Sequence, residues 1–166
     1  MSGNKTEREF LVVYDQYADP LFRFCYAQTG QRELAKDIVQ ETFIRTWKYL
    51  TDGKAIWKFR PFLYRTARNL IIDGARRAKE QSLEALQEVG WDTADERTPS
   101  PNTSAQVAQA IRLASQLDEP YREAFLMRYI DDMPPREIAH VIGESENVVS
   151  VRIHRAMEKL RTLMDL

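Results

Sequence analysis

The segment FRPFLYRTARNLIIDGARRAK, residues 59–79, combines a helix start signal with a regular apolar pattern. Pro61 is tolerated in the first turn of a helix but not in its interior, so the segment predicts a helix that begins near this residue. Small and apolar residues then recur at spacings of four, three and four: Leu63, Ala67, Leu70 and Gly74. This periodicity places them on one helix face that is suited to packing on a core.

The opposite face of the same helix is rich in basic side chains. It carries Arg65, Arg68, Asn69, Asp73, Arg76, Arg77 and Lys79, with Arg60 just upstream. A guanidinium group binds phosphate through paired donors, and an asparagine offers both a donor and an acceptor to the edge of a base. A solvated helix face usually mixes charges of both signs, whereas this face and Arg60 together have one acidic and six basic residues. The pattern therefore favours contact with nucleic acid over a merely solvated surface.

Composition limits the class of protein. The chain has 166 residues, of which 43% are hydrophobic and 30% charged, as expected for one large or two small globular domains. The start, MSGNKTEREF, has no apolar run, and no stretch of roughly eighteen apolar residues occurs, so neither a signal peptide nor a membrane helix is expected. The single cysteine, Cys25, cannot form an internal disulfide and fits a reducing cytosol. His140 and His154 have no second ligand at metal-binding spacing, so no metal or cofactor is expected.

Charge is distributed in blocks along the chain, although the formal net charge is only −1. Residues 1–79 contain fifteen basic and nine acidic residues. Residues 80–104 contain one basic and six acidic residues, and residues 105–166 contain eight basic and ten acidic residues. The middle block is also rich in Pro, Ser and Thr, which is typical of a flexible linker. These blocks predict two domains, 1–79 and 105–166, joined by an acidic linker over residues 80–104.

The first predicted domain has further helix signals. Thr6 has capping-box spacing with Glu9, which predicts the start of a first helix, and Pro20 predicts the start of a second. A third helix is expected over about residues 32–50. Its expected buried stripe is Ala35, Val39, Phe43, Trp47 and Leu50, with Ile38 alongside. The sequence thus predicts that the apolar side chains of this helix are used in the core.

Polar residues of the third predicted helix lie outside its apolar stripe. Asp37, Gln40 and Glu41 form a small acidic patch on the third helix. A TDGK turn, residues 51–54, then leads towards the 59–79 helix. Lys54 and Trp57 lie in or next to this loop. Core packing is the interpretation favoured for Trp57, because tryptophan is usually mostly buried; the alternative is that it stacks on an extruded base.

The second predicted domain ends in a helix-turn-helix pattern. Residues 135–143, PREIAHVIG, predict a short helix that is ended by Gly143, and residues 147–164 predict a long helix with Ser145 as its N-cap. The core stripe of this last helix is Val149, Ile153, Ala156, Leu160 and Leu163. A short helix, a tight glycine turn and a second helix with basic residues are typical of a DNA-binding module. No alternating run predicts a strand, so an all-α fold is expected.

Three segments, in this order, resemble those of bacterial RNA polymerase sigma factors of the extracytoplasmic function (ECF) group. DIVQETFIRTWKYL, residues 37–50, is similar to the polymerase-binding helix of that group, and PFLYRTARNLIIDGARR, residues 61–77, to its promoter −10 recognition helix. Residues 117–161 resemble its −35-binding domain. The resemblance covers nearly the whole chain. It implies a sigma factor whose partners are core RNA polymerase, promoter DNA and an anti-sigma protein.

The resemblance also implies roles for particular residues. Docking on the largest polymerase subunit falls to Asp37, Gln40 and Glu41. For −10 DNA the resemblance implies contacts by Asn69, Asp73 and Arg76, and the basic helix face and the loop before it add Arg65, Arg68, Arg77, Lys54 and Trp57. For −35 DNA the resemblance implies contacts by Arg152 and Arg155, and Asn147 and Ser150 of the same helix are further candidates. The acidic linker would follow the RNA path of the polymerase, although solubility of a disordered connector explains its charge equally well.

The chain departs from the family pattern at the start of the −35 recognition helix. The family usually has Gly-Thr-Val-Lys-Ser-Arg there, whereas residues 147–152 read NVVSVR, and Glu146 adds an acid. Loss of a lysine predicts weak attraction to phosphates at −35. Val148 or Val151 remains available to contact a thymine methyl group.

No enzyme is expected, because no nucleophile–base pair, glycine-rich phosphate loop or metal cluster is recognisable in the sequence. Two other classes stay open at this point. One is a helix-turn-helix regulator that does not bind polymerase. The Asp37–Glu41 patch argues against this alternative. The other is a sigma-like decoy that binds an anti-sigma protein without DNA. The altered −35 helix favours that decoy, whereas the basic helix of residues 59–79 argues against it.

Overall fold

The computed structural model describes residues 2–85 and 104–165, and in these ranges every regular element is a helix, as the sequence predicts. The chain divides into two compact units, Met1–Glu96 and Arg97–Leu166. The first contains α1 (Ser2–Thr29), α2 (Arg32–Thr51) and α3 (Phe59–Ala85). The second contains α4 (Ala105–Ala114), α5 (Tyr121–Phe125), which continues as a π-helical turn (Leu126–Ile130), α6 (Pro135–Ile142) and α7 (Glu146–Met164).

Helix α1 is continuous through Pro20, so the prediction of two helices in this region is wrong. It also begins before the expected capping residue Thr6. A proline in a helix interior costs about 3 kcal/mol, because one backbone hydrogen bond is lost. The helix nevertheless continues, because residues on both sides of the proline, including Val13, Leu21 and Phe24, are buried in the same core. Burial of about 1.5–3 kcal/mol for each large side chain outweighs the local cost.

The buried face of α2 differs from the predicted stripe. Ala35, Ile38, Thr42, Phe43 and Thr46 are buried, whereas Trp47 is 36% exposed. The two threonine hydroxyls donate to carbonyl oxygens one turn earlier, Thr42 to Ile38 at 2.7 Å and Thr46 to Thr42 at 2.8 Å. A hydroxyl satisfied in this way can be buried at little cost. The core therefore uses threonines, and part of the apolar stripe lies outside it.

Among the described side chains of α3, the buried ones lie in the first half of the helix. Leu63, Tyr64 and Ala67 are fully buried, whereas Gly74, the last member of the predicted core face, is exposed. The helix also continues to Ala85, six residues beyond the predicted end at Lys79. Residues 80–85 of the predicted linker are therefore helical. Its residues 86–103 lie outside the described part of the chain.

Trp57 corrects another expectation, because its side chain is 95% exposed in the loop before α3 rather than packed in the core. The loop begins at Gly53, whose φ of +82° is a backbone conformation that favours glycine. After this turn the chain runs to α3 over only five residues, 54–58, in which Ile56 is half-buried and Trp57 faces solvent. Its residue type alone could not indicate this.

The helix-turn-helix of the second unit matches the prediction. Gly143 ends α6 in the left-handed region, with φ +71°, and Ser145 caps α7 by accepting a hydrogen bond from the Val148 amide at 3.2 Å. Of the predicted core stripe of α7, Val149, Ile153, Ala156 and Leu160 are buried, whereas Leu163 near the end of the helix is only half-buried. The cap and the left-handed turn fix the direction in which α7 leaves α6. The exposed face of α7 is thereby held in one orientation relative to its own unit.

Two glycine substitutions are expected to change stability in opposite directions. Gly143→Ala should lower the free energy of unfolding by about 1–2 kcal/mol, because an alanine at positive φ is strained even where space is open. Gly74→Ala should raise it by about 0.5–1 kcal/mol, because Gly74 lies inside α3 with nothing within 4 Å of an added Cβ. Urea denaturation followed by helical circular dichroism measures both. A Gly143→Ala variant as stable as the unsubstituted chain would contradict the assigned turn.

Candidate functional site

The predicted docking patch lies on the exposed side of α2. Asp37 and Gln40 are exposed, and Glu41 is half-buried. The Glu41 carboxylate accepts a hydrogen bond from Arg45 Nε at 3.0 Å, and both side chains remain about half exposed. A surface pair of this kind contributes at most about 1 kcal/mol, so a partner can replace it readily. Asp37 and Glu41 are four residues apart and therefore lie on the same helix face.

Beside this patch, α1 and α2 form an open groove of about 940 Å³, here named the α1–α2 groove. Its apolar lining is Phe10, Leu11, Tyr14, Ala18, Phe22, Val39, Phe43, Ile44 and Trp47. Aromatic side chains from both helices meet in it, with ring centroids 5.1 Å apart for Phe10 and Trp47 and 4.8 Å apart for Tyr14 and Phe43. Sequence reasoning assigned Trp47 to the core and so missed this surface, to which the buried Phe43 also contributes. The threonines at 42 and 46 were the available signal.

The predicted DNA-contacting face of α3 is accessible. Arg65, Asn69, Arg76, Arg77 and Lys79 are exposed, while Arg68 and Asp73 are half-buried. Arg76 Nη2 lies 3.6 Å from Asp73 Oδ1, so the single acid of this face orients one of its guanidinium groups. At 100° per residue, Arg65, Asn69 and Arg76 project within about 40° of one another and opposite the buried Leu63 and Ala67. The structure thus brings these predicted residues together on one side of the helix.

The loop before α3 presents a cation and an aromatic ring. The Lys54 ammonium group lies 5.1 Å from the ring centroid of Tyr49, and the Tyr49 ring packs 5.0 Å from that of Phe62. A cation at this distance from an aromatic face is weakly held, by roughly 0.5–1 kcal/mol at an exposed site. Lys54 is therefore anchored at the junction of α2 and α3, whereas Trp57 in the same loop is open to a partner on nearly all sides.

The four residues predicted to contact −35 DNA do not form one surface. Asn147, Ser150 and Arg155 are exposed on α7, whereas the Arg152 side chain is only 22% exposed. Arg152 Nη2 lies 3.6 Å from Glu144 Oε1 in the turn before the helix. By helical geometry Arg152 lies about 160° around α7 from Ser150. Arg152 therefore braces the turn, and Val151, which is 41% exposed, stands nearer to the other three.

Two general properties bear on the kind of site. Within residues 2–85 and 104–165, no group of three or more His, Cys, Asp or Glu side chains is arranged to hold a metal ion. Among the same residues, no helix is both long and apolar enough to cross a bilayer.

Sequence comparison defines the class of the protein. The model of Sigma-70 region 2 matches residues 13–81, which cover most of α1 and all of α2, and extend to within four residues of the end of α3. The model of Sigma-70 region 4 matches residues 108–160 of the second unit. The two units thus correspond to two regions of Sigma-70 proteins, in the order expected from the sequence.

Individual relatives identify the group. ECF RNA polymerase sigma factor SigW of Bacillus subtilis is 31% identical over 162 residues, which cover 92% of this chain and 87% of that protein. ECF RNA polymerase sigma factor SigL of Mycobacterium tuberculosis is 32% identical over 163 residues, covering 93% and 89%. The chain belongs to the ECF RNA polymerase sigma factors. It therefore binds core RNA polymerase and directs promoter recognition and melting at transcription initiation.

Solved structures agree in fold. The sigma factor RpoE, determined in complex with the anti-sigma factor NepR from Bartonella quintana, has a TM-score of 0.77 to this chain at 18% identity over 96% of each chain. CnrH, determined in complex with the cytosolic domain of CnrY, has a TM-score of 0.68 at 26% identity, covering 99% of this chain and 94% of CnrH. The family is one of transcription regulators, as the sequence indicated.

Proposed function

We propose that sigma factor function is divided between the two units. Residues 1–79 dock on core polymerase and read the −10 element, residues 105–166 approach the −35 element, and residues 80–104 connect them. The positions of the two family matches, 13–81 and 108–160, support this division. The negative balance of the connector suits a segment that occupies the positively charged RNA path of a polymerase.

Docking on the polymerase is assigned to Asp37, Gln40 and Glu41. Their exposure on α2 supports this role, because the helix is already held by its opposite, threonine-containing face. Two carboxylates one turn apart suit a basic partner surface. Among the described residues, the ion pair between Glu41 and Arg45 is the one that this patch would have to exchange on binding.

Recognition of the −10 element is assigned to the exposed face of α3 and the loop before it. Base contacts fall to Asn69 and Arg76, with Asp73 orienting Arg76, and phosphate contacts fall to Arg65, Arg68 and Arg77. The observation that carries this proposal is the 95% exposure of Trp57 at the entrance to that face. Stacking on an aromatic ring is worth about 1–3 kcal/mol per base, which offsets much of the cost of extruding a base during melting. Lys54 supplies a nearby positive charge for the displaced strand.

At the −35 element, Asn147, Ser150 and Arg155 are assigned direct contacts. Arg152 is assigned a smaller part, because its guanidinium group faces Glu144. The exposed face of α7 carries few basic side chains, which implies weak attraction to DNA phosphates. We therefore place most of the promoter specificity in the first unit.

We further propose that the protein acts in the bacterial cytoplasm, without catalytic chemistry of its own, and that an anti-sigma protein is one of its partners. Core polymerase and promoter DNA are found in that compartment. Cys25 is buried as a thiol and not in a disulfide, which is compatible with a reducing environment. The resemblance to the ECF group supports regulation by a second protein.

Run-off transcription with core polymerase, from a promoter library randomised at both elements, tests the proposal. Asn69→Ala should reduce discrimination at one −10 position by about tenfold, whereas Arg152→Ala should change −35 preference less. If Asn69→Ala leaves the −10 preference unchanged and Arg152→Ala removes all selectivity, the proposed division of promoter reading is reversed.

Phosphate-contacting residues should behave differently from base-reading ones. Arg77→Ala and Lys79→Ala should each weaken binding to all promoters alike and reduce the slope of log K against log salt by about one, because one phosphate contact is lost. Filter binding of the holoenzyme at several salt concentrations measures this slope. Lys5→Ala, at an exposed position on α1, is the matched control and should leave the slope unchanged. A promoter-dependent effect of Arg77→Ala would instead assign it to base reading.

A further inference from the structure

Helix α3 carries an exposed aliphatic side chain that is used neither by the core nor by the proposed DNA contacts. Among the described residues of α3, Ile72 is the one large apolar residue that is exposed, at 46%. A single exposed isoleucine is common on protein surfaces and needs no explanation by itself. The position of Ile72 on the helix, however, points to a ligand.

Ile72 lies in the middle of the basic face of α3. At 100° per residue it projects opposite Leu63, which is fully buried, and about 60° from Asn69. Four basic residues project within about 40° of it: Arg65, Arg68, Arg76 and Lys79. A protein that covered Ile72 would need apolar neighbours, whereas three of the four positions one helical turn away are arginine or asparagine. The surroundings therefore favour a nucleic acid as the ligand.

Thymine is the base that offers an apolar group to such a side chain. Its C5-methyl group lies at the edge of the base, in the major groove of a duplex, and apolar side chains contact it there. The edges of adenine, guanine and cytosine carry hydrogen-bond donors and acceptors but no methyl group. The surrounding cations bring the phosphates close, and Ile72 can then bury its exposed surface on the methyl group.

The spacing along α3 indicates where this thymine lies. Asn69 is three residues before Ile72 and Arg76 is four residues after it, so they lie about 4.5 Å and 6 Å from it along the helix axis. Both residues are assigned base contacts in the proposed −10 site. Neighbouring stacked bases are about 3.4 Å apart, so the base beside Ile72 should lie between those read by Asn69 and Arg76, about one or two steps from each.

We propose that Ile72 contacts the C5-methyl group of a thymine in the −10 region and so selects thymine at one promoter position. The inference rests on the proposed reading of −10 DNA by α3, and adds to it a contact that needs no hydrogen bond. Because replacing the methyl group by hydrogen removes this contact without changing base pairing, its effect can be measured apart from the contacts of Asn69 and Arg76.

Deoxyuridine lacks only the C5-methyl group of thymidine, so a uracil scan of the promoter tests the contact. Each thymine of the promoter, on either strand, is replaced in turn, and binding of the holoenzyme is measured by competition with the unmodified promoter. One replacement within the −10 region should weaken binding about fourfold, as expected for the loss of one buried methyl group. Unchanged binding at every position would overturn the proposal.

The methyl group is present both in the duplex and in the separated strand, and a pre-opened promoter distinguishes these two sources. A uracil effect that persists when mismatches open the −10 segment places the contact in the separated strand. An effect that is lost on the pre-opened promoter places the contact in the duplex. Both results support the methyl contact and differ only in the form of DNA that Ile72 reads.

Substitution of Ile72 identifies the protein side of the contact. With Ile72→Ala, the same uracil replacement should change binding by less than about 1.5-fold, because the side chain that contacts the methyl group is gone. Val12→Ala, at an exposed position of α1, is the matched control and should keep the fourfold effect of about the original size. Circular dichroism checks that both variants keep the fold. Equal uracil effects in Ile72→Ala and in the unsubstituted protein would overturn the proposal.

A methyl group on another base provides an independent test. The promoter is prepared with cytosine in place of the identified thymine, and then with 5-methylcytosine, which carries its methyl group at the same ring position. Methylation should tighten binding by about twofold to fourfold for the unsubstituted holoenzyme and leave the Ile72→Ala holoenzyme unchanged. The absence of a gain with the unsubstituted protein, or an equal gain with both proteins, would contradict the methyl contact.

The outcomes separate this inference from the proposed function. If no uracil effect depends on Ile72 while Asn69→Ala alters the −10 preference, the methyl contact alone is refuted. If a uracil effect depends on Ile72 but maps outside the −10 region, methyl reading by Ile72 is supported, and the assignment of α3 to the −10 element is refuted.

Discussion

Reversal of two charges on α2, Asp37→Lys together with Glu41→Lys, is expected to lower the affinity for core RNA polymerase by about a hundredfold. The expectation rests on the proposed docking patch. Placing like charges opposite each other across an interface costs several kcal/mol, and a hundredfold loss corresponds to about 2.7 kcal/mol. The fold should be unaffected, because Asp37 is exposed and the Glu41–Arg45 pair is a surface interaction.

Competition with a labelled unsubstituted chain for core polymerase measures this loss. Glu9→Lys with Asp15→Lys is the matched control, because it makes the same change of net charge at exposed positions of α1 that do not line the groove. The control should bind within about threefold of the unsubstituted chain. Similar losses for both double variants would mean that net charge, and not the α2 patch, governs binding. Full affinity of the α2 variant would exclude the patch.

Trp57→Ala is expected to slow promoter melting by up to about a hundredfold while leaving polymerase binding unchanged. The ring is 95% exposed, so its removal takes no packing from the free protein. If it stacks on an extruded base, its removal loses the 1–3 kcal/mol of that contact at the step where the strands separate. Trp57→Phe should recover part of the rate, since a smaller aromatic face remains.

Fluorescence of a 2-aminopurine placed in the −10 element follows melting directly. A promoter with a pre-opened −10 segment provides the control, because the Trp57→Ala defect should largely disappear on it. A defect of equal size on the pre-opened promoter would show that the residue acts at another step. Promoter melting at the normal rate would show that Trp57 has no role in strand separation.

Local signals predicted much of the second unit. Gly143 and Ser145 act within one or two residues of themselves, by a left-handed turn and a side-chain cap, so their effect can be deduced without the rest of the fold. The apolar repeat of α7 was likewise sufficient, because its buried face is purely apolar. The position of Arg152 could not be predicted, because it depends on a partner eight residues away across the turn.

The first unit was predicted less accurately, because opposing contributions to the free energy of folding determine its helices. Pro20 carries a local penalty that burial on both sides overrides, and that burial depends on neighbouring helices. In α2 an apolar repeat and a threonine repeat coexist, and hydrophobicity alone selects the wrong one. The polar patch on α2 and the basic face of α3 were recognisable, since charge at helical spacing indicates an exposed side. The groove was not, because it exists only once α1 and α2 are packed.

The length of the uninterrupted helix α3 sets a fixed distance between the residues along it. The helix has 27 residues and is therefore about 40 Å long, with buried side chains in its first half and mostly exposed ones from Ile72 to Gln81. The stretch from Ile72 to Gln81 spans about 14 Å, equal to about four stacked nucleotides at 3.4 Å each. One inserted residue would lengthen it by only 1.5 Å but would rotate everything beyond it by 100°. Length changes in this helix should therefore be tolerated only in steps close to whole turns, such as seven residues.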